Sequence, residues 1–151
     1  MKIYYIDGNN LIGKIPDLKN KLNSDKTFVR EQLVFRLEKV FLNTNNRAIL
    51  FFDGFMNGLI KSNKLQIIYS DARAADFVIK EEIDRSKNPR NIVVVSSDNE
   101  VYDYGKKSYC DALKSEEFFT RFFGTAGEKE ESEKISLLEK QNDEFKKLFG
   151  L

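Results

Sequence analysis

Several apolar runs of this chain are followed by an aspartate. Asp7 follows IYYI, Asp53 follows ILFF, and Asp98 follows IVVVSS. If these runs are parallel strands, their carboxyl ends share one edge of a sheet, which is where open α/β sheets bind ligands. Asp76, in the first turn of a predicted helix after a further run, would reach the same edge. We therefore expect these four carboxylates to converge on one cleft.

Grouped carboxylates favour one kind of chemistry. They repel one another unless they share protons or bind a hard cation, and oxygen ligands suit Mg²⁺ or Mn²⁺ better than zinc. Such an ion can activate water and stabilise charge on a scissile phosphate. The chain contains no histidine, which excludes Ser-His-Asp and Cys-His arrangements and an imidazole base. The acids therefore indicate metal-dependent hydrolysis.

Each acid also has an ordinary structural explanation. Asp7 and Asp53 each precede a glycine, which is typical of turns. Asp76 near a helix start is favourable to the helix dipole, and Asp98 could cap the helix that follows it. The shared placement of the four acids at strand ends is what favours a metal site over these alternatives.

Composition limits the classes of protein to consider. The 151 residues, 41% of them hydrophobic, suffice for one domain with a core. A net charge of +1 means that nucleic acid would have to be held by a local basic patch. The lone Cys110 excludes an internal disulfide and, without histidine, structural zinc. No run approaches the roughly 18 apolar residues of a membrane span, and the N-terminus turns acidic early, so we expect a cytoplasmic protein without membrane contact.

The elements that would position the acids form an alternating pattern. Residues 2–6, 48–52, 65–69, 91–95 and, more weakly, 108–112 are the predicted strands. Three predicted helices cover residues 74–85, the segment after Asp98, and residues 116–123. A further helix is predicted from an apolar stripe and would be capped by Asp25 or Thr27. The residues of that stripe are Val29, Leu33, Leu37, Val40 and Phe41. Near-continuous apolar strands must be covered on both faces, so we expect a three-layer α/β sandwich around a mainly parallel sheet.

The composition changes at Gly124 to a polar segment rich in Glu, Lys, Gln and Ser. Its apolar positions, Ile135, Leu138, Phe145 and Phe149, fall roughly on one helical face. We therefore predict a domain at 1–123 and, at 124–151, a polar linker with a C-terminal amphipathic helix. That helix packs on its own domain or, alternatively, docks a partner or forms a homodimer.

Three motifs in order carry a family resemblance: IDGNNLIG, AADFVIKEEI and VVVSSDNEV. They resemble the NYN domain, a PIN-like nuclease group, and within it the bacterial YacP-like branch, over about residues 1–123. The resemblance implies a Rossmann-like sheet, a centre that binds Mg²⁺ or Mn²⁺, and endoribonuclease activity on single-stranded RNA or messenger RNA, in some members at the ribosome. Carried over by position, it implies that Asp7, Asp76 and Asp98 are catalytic and bind the metal. Asp53, which we expect as a further metal ligand from its place at a strand end, is not part of the resemblance.

The resemblance also implies substrate contacts. Asn9 matches the asparagine of the opening motif, where an amide could hold the substrate phosphate. Ser97 is expected to bond the backbone around Asp98, and Arg73 and Lys14 could each contact a phosphate. A basic rim that tracks phosphates could be formed by Lys14, Lys61, Lys64, Arg73 and Lys80, although scattered basic residues are more often solvated surface. For Phe55 and Met56 we favour core packing over stacking on a base. The stretch SDARAAD lacks the glycine-rich loop expected in this branch and adds Asp71, so substrate preference should differ.

Other functions fit less of the chain. GNNLIGKI nearly matches a phosphate-binding P-loop, but Ile15 replaces the Ser or Thr that holds magnesium. A haloacid dehalogenase-type phosphatase needs a second acid where Asn9 stands. The alternative from another class is a catalytically silent NYN-like module that binds RNA or the ribosome.

Overall fold

A single parallel sheet carries the fold in the computed structural model, which describes residues 1–128. Its strands are β1 Ile3–Asp7, β2 Arg47–Phe52, β3 Leu65–Tyr69, β4 Ile92–Val95 and β5 Asp111–Leu113. The strand order is β3-β2-β1-β4-β5, and every pairing is parallel. All five predicted strands are confirmed, although β5 begins three residues later than its weaker apolar pattern indicated.

Helices connect the strands. They are α1 Gly8–Ile12, α2 Pro16–Lys19, α3 Lys26–Phe41, α4 Ala75–Arg85, α5 Asn99–Lys107 and α6 Ser115–Phe118, with a 3-10 turn at Pro89–Asn91 and a π-helical segment at Phe119–Glu128. The short α1 and α2 were not predicted, because four or five residues are too few to show a helical period. The helix predicted at 116–123 becomes α6 and the start of the π-helical segment.

The longest helix, α3, differs slightly from its prediction. Asp25 caps it by accepting a hydrogen bond from the backbone N–H of Phe28 at 3.0 Å, whereas Thr27 donates to the carbonyl oxygen of Asn57. Its buried face consists of Val29, Arg30, Leu33, Val34, Leu37 and Phe41. Compared with the predicted stripe, this face adds Arg30 and Val34 and lacks Val40, which is half-buried.

The strand register fixes which residues meet at the carboxyl end of the sheet. Asp7 lies beside Phe51 of β2, and Ile6 lies beside Val95 of β4, so the residue after β4 is level with Asp7. Gly8 allows α1 to begin directly against β2, because a Cβ there would lie 2.7 Å from the Phe51 carbonyl oxygen. The start of α1 therefore directly follows β1 and packs closely against β2.

Two compact units divide the chain. The first, Met1–Glu116, contains the whole sheet, and the second is Glu117–Leu151. Within residues 117–128 of the second unit, the Phe118 and Phe122 rings pack with centroids 4.6 Å apart. The predicted C-terminal helix, with its apolar positions 135, 138, 145 and 149, lies outside the described residues. No helix within residues 1–128 has the length and apolar character to cross a bilayer.

Candidate active site

Asp7 is the buried centre of the carboxyl edge. It ends the central strand β1, is 7% exposed, and accepts a hydrogen bond at 2.9 Å from the Ser96 hydroxyl. Burial, with smaller contributions from the charges of Asp53 and Asp98, raises the pKa of Asp7 to about 6, although hydrogen bonds from Ser96 and the Asn10 backbone act to lower it. Asp7 is therefore a carboxyl group that a neighbouring cation would stabilise as the anion.

Ser96, which sequence reasoning missed, joins two of the predicted acids. While its hydroxyl donates to Asp7, it accepts the backbone N–H of Asp98 at 3.1 Å. Asp98 then caps α5 by accepting the N–H of Glu100 at 2.9 Å. The prediction that Ser97 bonds the backbone around Asp98 is wrong. Ser96 does so because it is the fully buried residue that continues β4 beside Asp7.

Ser97 instead faces the loop that leads into α6. Its hydroxyl bonds the Glu116 carboxylate and accepts the N–H of Ser115 at 3.0 Å. The Ser97 backbone N–H and the Ser115 hydroxyl both donate to the Asn10 side-chain oxygen, at 2.8 and 2.9 Å. Asn10 thus connects helix α1 to the segments that follow β4 and β5. The sequence pair Asn9-Asn10 gave no sign of which asparagine would do so.

Asp53 and Asn9 form the other side of the edge. The Asp53 carboxylate accepts the N–H of Ala75 at 2.8 Å and so fixes the start of α4. Asn9 accepts the backbone N–H of Asp53 at 3.3 Å. Gly54, with φ of +81°, makes the predicted turn. Asp53 consequently combines a structural role with a carboxylate whose charge acts on Asp7.

Arg30 holds the main chain beneath Asp53. Its guanidinium donates to the carbonyl oxygens of Asp53, at 2.5 Å, and Phe55, at 3.1 Å. The side chain is almost fully buried and lies over the rings of Phe52 and Tyr69, 4.8 and 5.5 Å from their centroids. The spacing of Arg30 from Leu33 and Leu37 was the signal that could have identified this buried cation.

Asp76 is not among the charges that raise the pKa of Asp7. It is half-buried and accepts the N–H of the following Phe77 at 2.9 Å. Lys80 donates to Glu100 at 2.7 Å, and this bond, with the charges of Glu100, Asp76 and Asp98, raises the pKa of Lys80. Asp76 and Asp98 therefore both act electrostatically on Lys80. Asp7 is affected instead by the charges of Asp53 and Asp98.

Of the basic residues predicted to contact phosphate, Lys14 lies near Ser97, whereas Arg73 and Lys64 have partners elsewhere. Lys14 lies 3.8 Å from Glu116 and so belongs to the group around Ser97. Arg73 pairs with Glu81 at 3.2 Å on α4. Lys64 donates to the carbonyl oxygen of Thr44, which precedes β2, so it lies at the opposite end of the sheet. The predicted basic residues therefore do not form a continuous rim.

The prediction that Phe55 and Met56 pack in the core is wrong. Their side chains are 64% and 59% exposed, so they do not pack in the core. With Leu59, which is 70% exposed, they form an apolar loop after Asp53. Arg30 and Thr27 hold its backbone from below. These hydrogen bonds hold only carbonyl groups of the loop, and its three apolar side chains are exposed to solvent.

The donor chemistry suits a hard cation, but the predicted acids are not grouped closely enough to act together as metal ligands in the described residues. Within residues 1–128 no group of three or more acid or cysteine side chains is placed to hold a metal ion. The available donors at this edge are carboxylate and amide oxygens, the ligands that Mg²⁺ and Mn²⁺ prefer. Asp7, whose anionic form is disfavoured by burial, is the residue that such an ion would stabilise most.

The chain is similar to known proteins over most of its length. A family model described as the YacP-like NYN domain matches residues 4–148, which extends past the limit of 123 set by the sequence motifs. The crystal structure of Rae1 (YacP) from Bacillus subtilis is 22% identical, with a TM-score of 0.71 over 95% of this chain and 86% of that one. The structure of its W164L mutant is also 22% identical, with a TM-score of 0.67 over 81% and 75%. No curated protein matches the chain. The structural likeness confirms the predicted PIN-like α/β fold.

Proposed function

The chain belongs to the YacP-like NYN domain family, a nuclease family, and from this we propose that it is an endoribonuclease that hydrolyses RNA phosphodiester bonds with Mg²⁺ or Mn²⁺. The observation that carries the proposal is Asp7, a buried carboxyl group with a pKa raised to about 6, in the electrostatic field of Asp53 and Asp98. Perturbed carboxyl groups at the ligand-binding edge of a parallel sheet are typical of catalytic sites.

Asp7, Asp53, Asp76 and Asp98 would be the protein ligands of the ion, together with oxygen atoms of the RNA phosphate, and the four acids would have to move closer together to hold it, since no three of them are placed to do so within residues 1–128. When bound, it would supply Lewis-acid stabilisation of the phosphate charge and lower the pKa of a coordinated water. The RNA would contribute to the coordination, because no three acids within residues 1–128 form a metal site by themselves. This contribution couples metal binding to RNA binding.

The protein's own residues would prepare the acids. Ser96 donates to Asp7 and lowers its pKa, which keeps a larger fraction of the carboxylate ionised near neutral pH. Its second bond, from the Asp98 backbone, sets the distance between the turns that carry both acids. Asn9 and Ser97 would contact the RNA backbone, and Lys14 and Arg73 would contact phosphates after leaving their exposed partners Glu116 and Glu81.

We further propose that the substrate is messenger RNA, that the ribosome presents this RNA, and that the protein acts in the cytoplasm. Assembly into a homodimer would depend on the C-terminal helix predicted for the tail. The alternative is a catalytically silent RNA- or ribosome-binding module, in which Asp98 acts only as the helix cap seen at α5.

One experiment separates the enzyme from the silent module. The purified protein and its Asp7→Asn and Asp98→Asn variants are incubated with labelled single-stranded and structured RNA, in Mn²⁺, in Mg²⁺ and in EDTA. The control is Asp103→Asn, which removes an exposed acid from α5. We expect metal-dependent cleavage by the wild type and the control and at least about a hundredfold loss in both site variants. Absence of cleavage by the wild type, also with translating ribosomes, would overturn the proposal.

A further inference from the structure

A groove lies at the opposite end of the sheet from Asp7. It has a volume of about 490 Å³ and is lined by Lys87, Asn88, Pro89, Arg90, Asn91 and Tyr109. The first five residues lead into β4, and Tyr109 precedes β5. A parallel strand rises about 3.3 Å per residue, so the five steps from Asn91 to Ser96 separate the groove from the acidic edge by about 16 Å.

The groove presents two uncompensated positive charges. Lys87 and Arg90 are exposed, and neither side chain forms an ion pair within residues 1–128. Asp111, the acid closest in sequence to Tyr109, is paired with Lys2 at 3.1 Å. Lys2 also donates to the carbonyl oxygen of Arg90 at 2.8 Å. The acid is therefore neutralised, and the groove remains positive in a chain whose net charge is only +1.

Tyr109 occupies a backbone position that normally takes glycine. It follows α5 with φ of +71°, its N–H donates to the carbonyl of Lys106 at 3.1 Å, and the N–H of Cys110 donates to that of Gly105 at 2.9 Å. These bonds define a Schellman ending, in which glycine is favoured because a Cβ is strained at positive φ. Burial does not compensate this strain, because the tyrosine is 72% exposed. Its ring makes no aromatic or cation-π contact within the part of the chain described.

We propose that this groove is a second RNA-binding site, where Tyr109 stacks on a base and Lys87 and Arg90 contact the neighbouring phosphates. The amides of Asn88 and Asn91 line the groove and can bond base edges. Aromatic rings combined with cations are the usual means of holding single-stranded nucleic acid. An acidic peptide would use the two cations but would leave the strained tyrosine without a role. The inference rests on the proposed function in one respect, that the ligand is RNA.

The strain at Tyr109 provides the test. Tyr109→Gly and Tyr109→Phe are made in full-length protein that also carries Asp7→Asn, so that the RNA is not cut. Fluorescence anisotropy measures the Kd for a labelled single-stranded RNA of about 16 nucleotides. We expect Tyr109→Gly to weaken binding about 5- to 100-fold, as for the loss of a base stack, and Tyr109→Phe to bind as the parent does. We also expect Tyr109→Gly to melt at the same or a higher temperature, because glycine relieves the strain.

The outcomes distinguish the groove from the acidic centre. Unchanged RNA affinity in Tyr109→Gly, or Tyr109-dependent binding of poly-glutamate in place of RNA, would overturn the groove as an RNA site. Weaker binding accompanied by a lower melting temperature would do so as well, because the tyrosine would then be structural. If the wild type cuts no RNA but binding depends on Tyr109, the groove stands while the nuclease proposal fails. If RNA is cut and binding ignores Tyr109, the reverse holds.

Discussion

The two ends of the sheet treat charge in opposite ways. At the carboxyl end, Asp7 is buried and bonded by Ser96, and Asp98 is bonded to its own helix. At the amino end, Lys87 and Arg90 are exposed and unpaired within residues 1–128, beside a tyrosine in a strained conformation. The acids that would bind a metal must be positioned accurately, and hydrogen bonds from the rest of the fold hold them. The cations that would attract RNA need no such accuracy, and no ion pair within residues 1–128 restrains them. Substitutions at the carboxyl end should therefore alter folding stability, whereas those at the amino end should weaken RNA binding without lowering stability.

The largest effect at the carboxyl end should come from Arg30→Met. The substitution leaves the carbonyls of Asp53 and Phe55 without their buried donor, so we expect a loss of about 3 kcal/mol in the free energy of unfolding, measured by urea denaturation. RNA cleavage should fall too, because Asp53 loses its support. The control Arg36→Met removes a partly exposed ion pair with Asp17 and should cost less than about 1 kcal/mol. Equal losses would show that Arg30 is not a special anchor.

Asp7→Asn should stabilise the fold while it abolishes cleavage. The folded-state pKa of Asp7 is raised from 3.8 to about 6, so the folded state binds the proton more tightly than the unfolded state does. This contribution is complete below pH 4 and is lost as the pH rises through 6. Wild-type stability should therefore fall across that window by up to about 3 kcal/mol relative to the variant. Urea denaturation of both proteins at pH 4 and pH 8 tests this, and parallel pH dependences would contradict it.

Ser96→Ala should have a smaller effect with a distinct pH signature. It removes the hydroxyl that bonds both Asp7 and the Asp98 backbone, at a cost of about 1 to 2 kcal/mol. Because that hydroxyl lowers the pKa of Asp7, its loss should move the acid limb of the cleavage profile to higher pH. The neighbouring Ser97→Ala, whose hydroxyl bonds Glu116, is the matched control. A cleavage profile that shifts equally in both variants would argue against Ser96 as the residue that tunes Asp7.

Lys87→Gln should have the smallest effect, confined to binding. Removal of one phosphate contact should weaken RNA affinity a few-fold and reduce the slope of log Kd against log salt by about 1. Melting should not change, since Lys87 makes no ion pair within residues 1–128. Lys39→Gln, on the exposed face of α3, provides the comparison. An equal change in salt slope for both lysines would mean that the charge acts only globally.

Sequence reasoning succeeded where a pattern is local. Alternating apolar runs and helical stripes predicted the five strands, and an acid after each of three strands marked the ligand-binding edge. It could not assign Ser96 or Asn10, because their partners lie 89 and 105 residues away and only the strand register brings them together. The spacing of Arg30 in the apolar stripe indicates that its side chain is buried, but it does not indicate its partners, the loop carbonyls of Asp53 and Phe55.

The position of β1 has a consequence for how the molecule is made. Among the strands of this sheet, the central strand β1 is synthesised before the others, and its neighbours β2 and β4 begin only at Arg47 and Ile92. Pairings so distant along the chain slow folding, because much loop entropy is lost before native contacts form. Asp7 acquires its partner Ser96 only after β4 has left the ribosome. A nascent chain shorter than this carries the first acid of the centre but not the centre itself.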